Sequence, residues 1–125
     1  MLVACLVAGN LVAAQRLPDD AELRRMAAQM LMVGFRGDSV TDDCDAARYV
    51  RDLGVGAIIL FDVDLTGDAT IGSRNVTSRE RLNRLTAQLQ RWGHGRLLIA
   101  LDQEGGRVQR LKPQYGYEPI PSAAR

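Results

Sequence analysis

At 125 residues and 46% apolar content, the chain is one ordinary domain with enough hydrophobic material to bury a core. Its 16 basic and 15 acidic residues leave a net charge of +1 and gather into no basic stripe. That excludes nucleic acid and an anionic membrane surface as natural partners. The 5% aromatic content argues against a base-stacking platform, and no repeat or low-complexity tract interrupts the chain.

The first residues stand apart. Residues 1–14 are apolar and small, with Asn10 the one polar exception, and they end in Val12-Ala13-Ala14, which fits a small-residue cleavage site. This is the h-region expected of a signal peptide and is too short to span a bilayer. No Lys or Arg precedes it. A hydrophobic helix or strand of the folded domain is the alternative. The expected organisation is a signal peptide over 1–14 and the domain over 15–125, which places the protein in a periplasmic or extracellular compartment, with the cytoplasm as alternative. Leu2-Val3-Ala4-Cys5 resembles a lipoprotein box, which would imply a lipid anchor only if the true start lies upstream. Cys5 would leave with the signal and Cys44 remain alone. With one histidine, His94, and no CxxC, neither a disulfide framework, a metal site nor a cofactor is expected.

Pro18-Asp19-Asp20 predicts a helix start, with acidic residues where the helix dipole favours them. Leu23, Met26, Ala27 and Met30 then mark one helical face. Leu31-Met32-Val33-Gly34-Phe35 changes the period to that of a buried strand. Asp42 to Leu53 is helical again, with Ala46, Val50 and Leu53 on one side and Gly54 as the stop. Val55 to Phe61 is a continuous apolar run of strand length, implying cover on both faces as in a parallel sheet. A long polar loop, Asp62 to Val76, leads to Thr77-Ser-Arg-Glu80, a capping box. Leu82, Leu85, Leu89 and Trp92 stripe the following helix, Gly93 ends it, and Arg96 to Leu101 is a third buried strand. From Lys112 onward, Pro113, Gly116, Pro119 and Pro121 predict loop.

Alternating strands and helices of this kind predict βαβ units on a parallel sheet. A doubly wound sheet and a (β/α)₈ barrel both remain open on pattern alone. In either, ligands meet the C-terminal ends of the strands, reached here by Arg36 to Thr41, Asp62 to Val76, and Asp102 onward. The third of these packs two carboxylates and a guanidinium into the turn Asp102-Gln-Glu-Gly-Gly-Arg107. A carboxylate at a strand end suits bidentate hydrogen bonding to vicinal sugar hydroxyls, and Arg110 is within reach of the same pocket. The same turn also reads as a structural corner in which Glu104 pairs with Arg107. A metal held by Asp102 and Glu104 lacks a third ligand, and a phosphate loop would not follow two acids.

The string Leu98-Ile-Ala-Leu-Asp-Gln-Glu-Gly-Gly-Arg-Val-Gln-Arg-Leu111 closely resembles the signature after the third strand of family 3 glycoside hydrolases, especially bacterial β-N-acetylhexosaminidases. Gln29 to Phe35 and Val55 to Phe61 are similar to the regions of the first and second strands. The resemblance implies an α/β fold, the N-terminal portion (about three βα units) of a (β/α)₈ TIM-type barrel. It implies that Asp102 binds sugar hydroxyls beside the scissile bond and that Arg110 is a further substrate contact, the partner being an amino-sugar glycan. The family's retaining mechanism uses an Asp nucleophile and a His acid/base further downstream, and nothing in this chain matches either. His94, between Gly93 and Gly95, is expected to be a turn residue at the opposite end of the strands.

A retaining glycosidase needs two groups about 5 Å apart. Asp102 and Glu104 do not suit that pairing, since the resemblance makes Asp102 a hydroxyl binder and Glu104 shares its tight turn. The expectation is a piece of a β-N-acetylhexosaminidase that is inactive and poorly soluble alone. A non-catalytic sugar-binding or vestigial module is the alternative. Asn75-Val-Thr77 matches a glycosylation sequon and is taken as chance.

Overall fold

The computed structural model describes residues 16–66, 70 and 72–122, so the apolar segment 1–14 lies outside the described residues. The first helix, α1 (Asp20–Gln29), opens with a reciprocal cap. Asp19 accepts from the Glu22 backbone N–H at 2.9 Å, and the Glu22 carboxylate accepts from the Asp19 N–H at 2.8 Å. Its apolar stripe does not pack as expected. Leu23, Met26 and Met30 are 49%, 58% and 87% exposed, so the helical period was legible but no described element covers that face. What holds α1 is its C-terminal end. Gly56 donates to the Ala28 carbonyl, the Gln29 side chain donates to the Gly54 carbonyl, and a Cβ on Gly56 would overlap the Gln29 backbone.

Three short strands follow, β1 (Met32–Val33), β2 (Ala57–Leu60) and β3 (Leu98–Leu101), paired in chain order and all parallel. Val33, Ile58 and Ile99 share one row of the sheet, and Met32, Ala57 and Leu98 the next. Between β1 and β2 the chain forms α2 (Asp45–Ala47), which widens into a π-helical turn over Arg48–Asp52, where Leu53 N–H reaches back to the Arg48 carbonyl. The helix thus begins later than Asp42, and Leu53, expected on its buried side, is 60% exposed because the wide turn rotates it outward.

The helix α3 (Arg79–Trp92) joins β2 to β3 and buries Leu82, Leu85 and Leu89 as its spacing predicted. Its cap is one residue later than expected. Ser78 accepts from the Arg81 N–H at 3.2 Å, because the Thr77 hydroxyl is engaged elsewhere, donating to Asp38 at 2.9 Å. Ile58, Leu60, Val76, Leu85 and Leu89 are fully buried between α3, the π-helical turn and one face of the sheet. Each such side chain contributes about 1.5–3 kcal/mol through removal from water. The opposite face differs from the expected two-sided cover, since Met32 and Leu98 remain 46% and 59% exposed there. The described residues make an α/β unit with α2, the π-helical turn and α3 on one side of a parallel sheet.

Past β3 the chain forms a small antiparallel hairpin, β4 (Gln103–Gly105) with β5 (Val108–Gln109), bulged between Gln103 and Gly105. The segment predicted as loop from Lys112 contains a 3₁₀ turn, Pro113–Tyr115, closed by Gly116 at φ 88°. That turn seats Tyr115 in the core, which gives a proline-rich stretch a hydrophobic anchor its composition did not suggest.

Candidate functional site

The C-terminal ends of β2 and β3 lie side by side, with Leu60 opposite Leu101. Asp102 follows Leu101 directly, and Asp62 stands two residues beyond Leu60. The two carboxylates therefore meet at one edge of the sheet, and Arg110 comes between them from the end of β5. One terminal nitrogen of Arg110 lies 3.3 Å from Asp62 Oδ1 and the other 3.3 Å from Asp102 Oδ2. Lys112 donates to the second oxygen of Asp62. The result is a chain of alternating charge: Asp102, Arg110, Asp62, Lys112. Asp62 is fully buried and Asp102 is 43% exposed, so the outer carboxylate is the one a ligand can reach.

The motif's two glutamines shape this arrangement. Gln103 Oε1 accepts from the backbone N–H groups of Arg110 and Leu111 at 3.0 and 3.1 Å. The buried Gln109 donates to the Leu111 and Glu118 carbonyls and accepts from the Ile120 N–H. Both act as side-chain clasps that hold the hairpin and tail in register, satisfying backbone groups that would otherwise be orphaned. The paired glycines have a comparable role. Gly105 and Gly106 take φ of 82° and 57°, and the object that approaches them is the chain's own segment Ile120 to Ser122. Glu104 and Arg107 are exposed, and no hydrogen bond or ion pair joins them among the described residues, so the corner built on that pair is not formed.

A second set of contacts binds the loop after β1 to the loop after β2. Arg36 donates to Asp64 and to the Thr66 hydroxyl. The Arg36 hydrogen bond, together with the Thr66 backbone N–H, holds the Asp64 carboxyl well below the usual carboxylate range. Asn75, fully buried, donates to the carbonyls of Phe35 and Gly37 at 3.2 and 2.7 Å and accepts from the Phe61 N–H at 3.0 Å. Its amide is fully engaged, which leaves no room for a glycan at the sequon. Two guanidinium groups lie over the Phe61 ring, Arg74 at 4.6 Å and Arg110 at 5.7 Å from its centroid.

These loops enclose a cleft of about 500 Å³ walled by Arg36, Tyr49, Phe61, Asp64, Arg74 and Arg110. Arg110 is the residue shared between the cleft and the Asp102 edge. A larger cleft, about 780 Å³, lies at the other end of the strands beside Arg51, Trp92 and His94, away from both motif carboxylates. His94 occupies the turn before β3 with φ 51°, exposed, as a turn residue. Of the two residues predicted to meet substrate, the structure brings Asp102 and Arg110 together; Asp62 and Lys112 were not singled out from sequence.

No family-level profile matches the chain. Curated relatives do. A Beta-hexosaminidase of Xylella fastidiosa is 33% identical over 92 residues, covering 74% of this chain and 23% of its own length. One of Bordetella pertussis is 36% identical over 91 residues, covering 73% of this chain and 22% of the relative. One of Hydrogenovibrio crunogenus is 44% identical over 55 residues, or 44% of this chain and 15% of that protein. The chain thus spans about a quarter or less of the relatives it matches. Among solved structures, a glycoside hydrolase family 3 beta-N-acetylglucosaminidase from Paenibacillus sp. str. FPU-7 superposes with a TM-score of 0.64 at 32% identity, over 80% of this chain and 17% of that one. Motif and relatives agree in likening the chain to the N-terminal stretch of a glycoside hydrolase family 3 enzyme.

Proposed function

We propose that this chain is the part of a retaining β-N-acetylhexosaminidase that holds the sugar, with Asp102 and Arg110 as its substrate contacts. The observation that carries the reading is the half-exposed Asp102 carboxylate at the end of β3, with one oxygen on Arg110 and the other, Oδ1, without a partner among the described residues. An ionised carboxylate accepts from two neighbouring hydroxyls at once, and a guanidinium beside it donates to a third oxygen. The substrate class is an amino-sugar glycan, by analogy with the names its relatives carry. The sheet would be the first three βα units of a (β/α)₈ barrel. Strands paired in chain order and a sheet face left open at Met32 and Leu98 support that architecture. Residues 1–14 would direct export to the periplasm or beyond.

In this reading Asp102 binds and orients. Attack on the anomeric carbon and protonation of the leaving oxygen fall to an Asp and a His that the family places further along. The test is hydrolysis of 4-nitrophenyl N-acetyl-β-D-glucosaminide by the full-length gene product. Asp102→Ala is expected to lower kcat/KM by about a hundredfold or more. Near-normal turnover in that variant would leave Asp102 a structural role. A wild-type protein that binds N-acetylglucosamine but hydrolyses no aryl glycoside would favour the non-catalytic sugar-binding module instead.

A further inference from the structure

We infer that Asp62, a residue outside the signature motif, is the positioning residue that sets Arg110 beside Asp102; the inference rests on the substrate contacts proposed above. A fully buried carboxylate is costly unless paired, and Asp62 has two cations, Arg110 on Oδ1 and Lys112 on Oδ2. The hold on Arg110 is otherwise slight. Its Nε is buried with no hydrogen-bond partner among the described residues, so the guanidinium is fixed by its two terminal nitrogens and by the Phe61 ring.

Sharing is what makes the arrangement useful. With Asp62 present, Arg110 gives Asp102 one nitrogen and occupies only Oδ2. Without Asp62, the same guanidinium is free to close on Asp102 with both terminal nitrogens, the preferred fork-to-fork geometry. That would fill the carboxylate meant for sugar hydroxyls and withdraw Arg110 from its own contact. Lys112 has a separate part. It pairs with the Asp62 oxygen that Arg110 leaves over, so that neither oxygen of the buried carboxylate lacks a cation.

The experiment is a double-mutant cycle in the full-length protein with the aryl N-acetylglucosaminide as substrate. Asp62→Asn, nearly isosteric, is expected to raise KM about tenfold with kcat within about twofold. In an Arg110→Ala background the same change should have almost no further effect, because the residue through which it acts is gone. If Asp62→Asn leaves Lys112 uncompensated and the protein fails to melt cooperatively, the paired Asp62→Asn, Lys112→Met variant removes both charges and carries the same expectation. A full, undiminished cost of Asp62→Asn in the Arg110→Ala background would show that Asp62 acts on the fold alone, and the inference falls while the enzyme assignment stands. An Arg110→Ala variant with unchanged KM would overturn the substrate contact itself, and the inference with it.

Discussion

The carbonyl of Pro121 occupies the space where a Cβ on Gly105 would have to stand. Gly105 is also at φ 82°, so an alanine there meets both a backbone collision and a conformation that L-residues avoid. The tail cannot retreat easily, because Gly106 donates to the Ile120 carbonyl and Gln109 accepts from the Ile120 N–H. Gly105→Ala is expected to destabilise the protein by about 3 kcal/mol. Gly95→Ala, at φ 72° with open space around the new methyl, should cost about 1 kcal/mol from backbone strain alone. Urea unfolding of the two variants compares them directly, and equal losses would mean the tail does not constrain the hairpin.

Asn75 supports the second prediction. It ties the loop after β1 to the end of β2 through three backbone groups, those of Phe35, Gly37 and Phe61. Asn75→Ala strands those groups where water does not replace the amide, at about 1–3 kcal/mol for each buried group left unmade. A loss of about 3 kcal/mol in unfolding free energy is expected. Asn75→Asp should cost a similar amount, since a carboxylate accepts but cannot donate to the two carbonyls.

Legibility of the fold followed the range of the interactions. Leu82, Leu85 and Leu89 repeat at helical spacing and are buried by one element, so α3 could be read locally. The apolar runs of β2 and β3 were likewise local signals. Asp62 was not, because a carboxylate in a polar loop has the pattern of a solvated one, and the partners that bury it lie 48 and 50 residues away. The glycine pair shows an intermediate case. Two adjacent glycines in a turn leave positive φ open, whereas the object approaching them, residues 120–122, is a tertiary fact. The stripe on α1 is the opposite failure: Leu23, Met26 and Met30 have the period of a packed face but meet no described element.

A pH dependence follows from Asp64. Hydrogen bonds from Arg36 and Thr66 hold its carboxyl below the ordinary value of 3.8. The folded state therefore binds that proton more weakly than the unfolded chain does. Its stabilising contribution is complete above the unfolded value and is lost as pH falls below about 4 toward the folded one. Wild-type protein should lose stability more steeply than Arg36→Gln between pH 5 and 3, as followed by urea midpoints. Parallel slopes would mean that Arg36 does not set the Asp64 titration.

The open sheet face gives the last prediction. β1 and β3 are edge strands of the described sheet, and Met32 and Leu98 expose 46% and 59% of their surface on the side that no helix covers. Unpaired strand edges beside exposed apolar side chains template association between copies. The 125-residue chain alone should therefore scatter light increasingly at micromolar concentrations. Leu98→Lys places a charge on that face without touching the row of Val33, Ile58 and Ile99 that packs on the helices. It is expected to lower scattering severalfold at unchanged far-ultraviolet dichroism, because an edge lysine opposes strand addition while the helical side of the core is left intact. Scattering that stays the same would place the sticky surface elsewhere, with the exposed stripe of α1 as the next surface to charge.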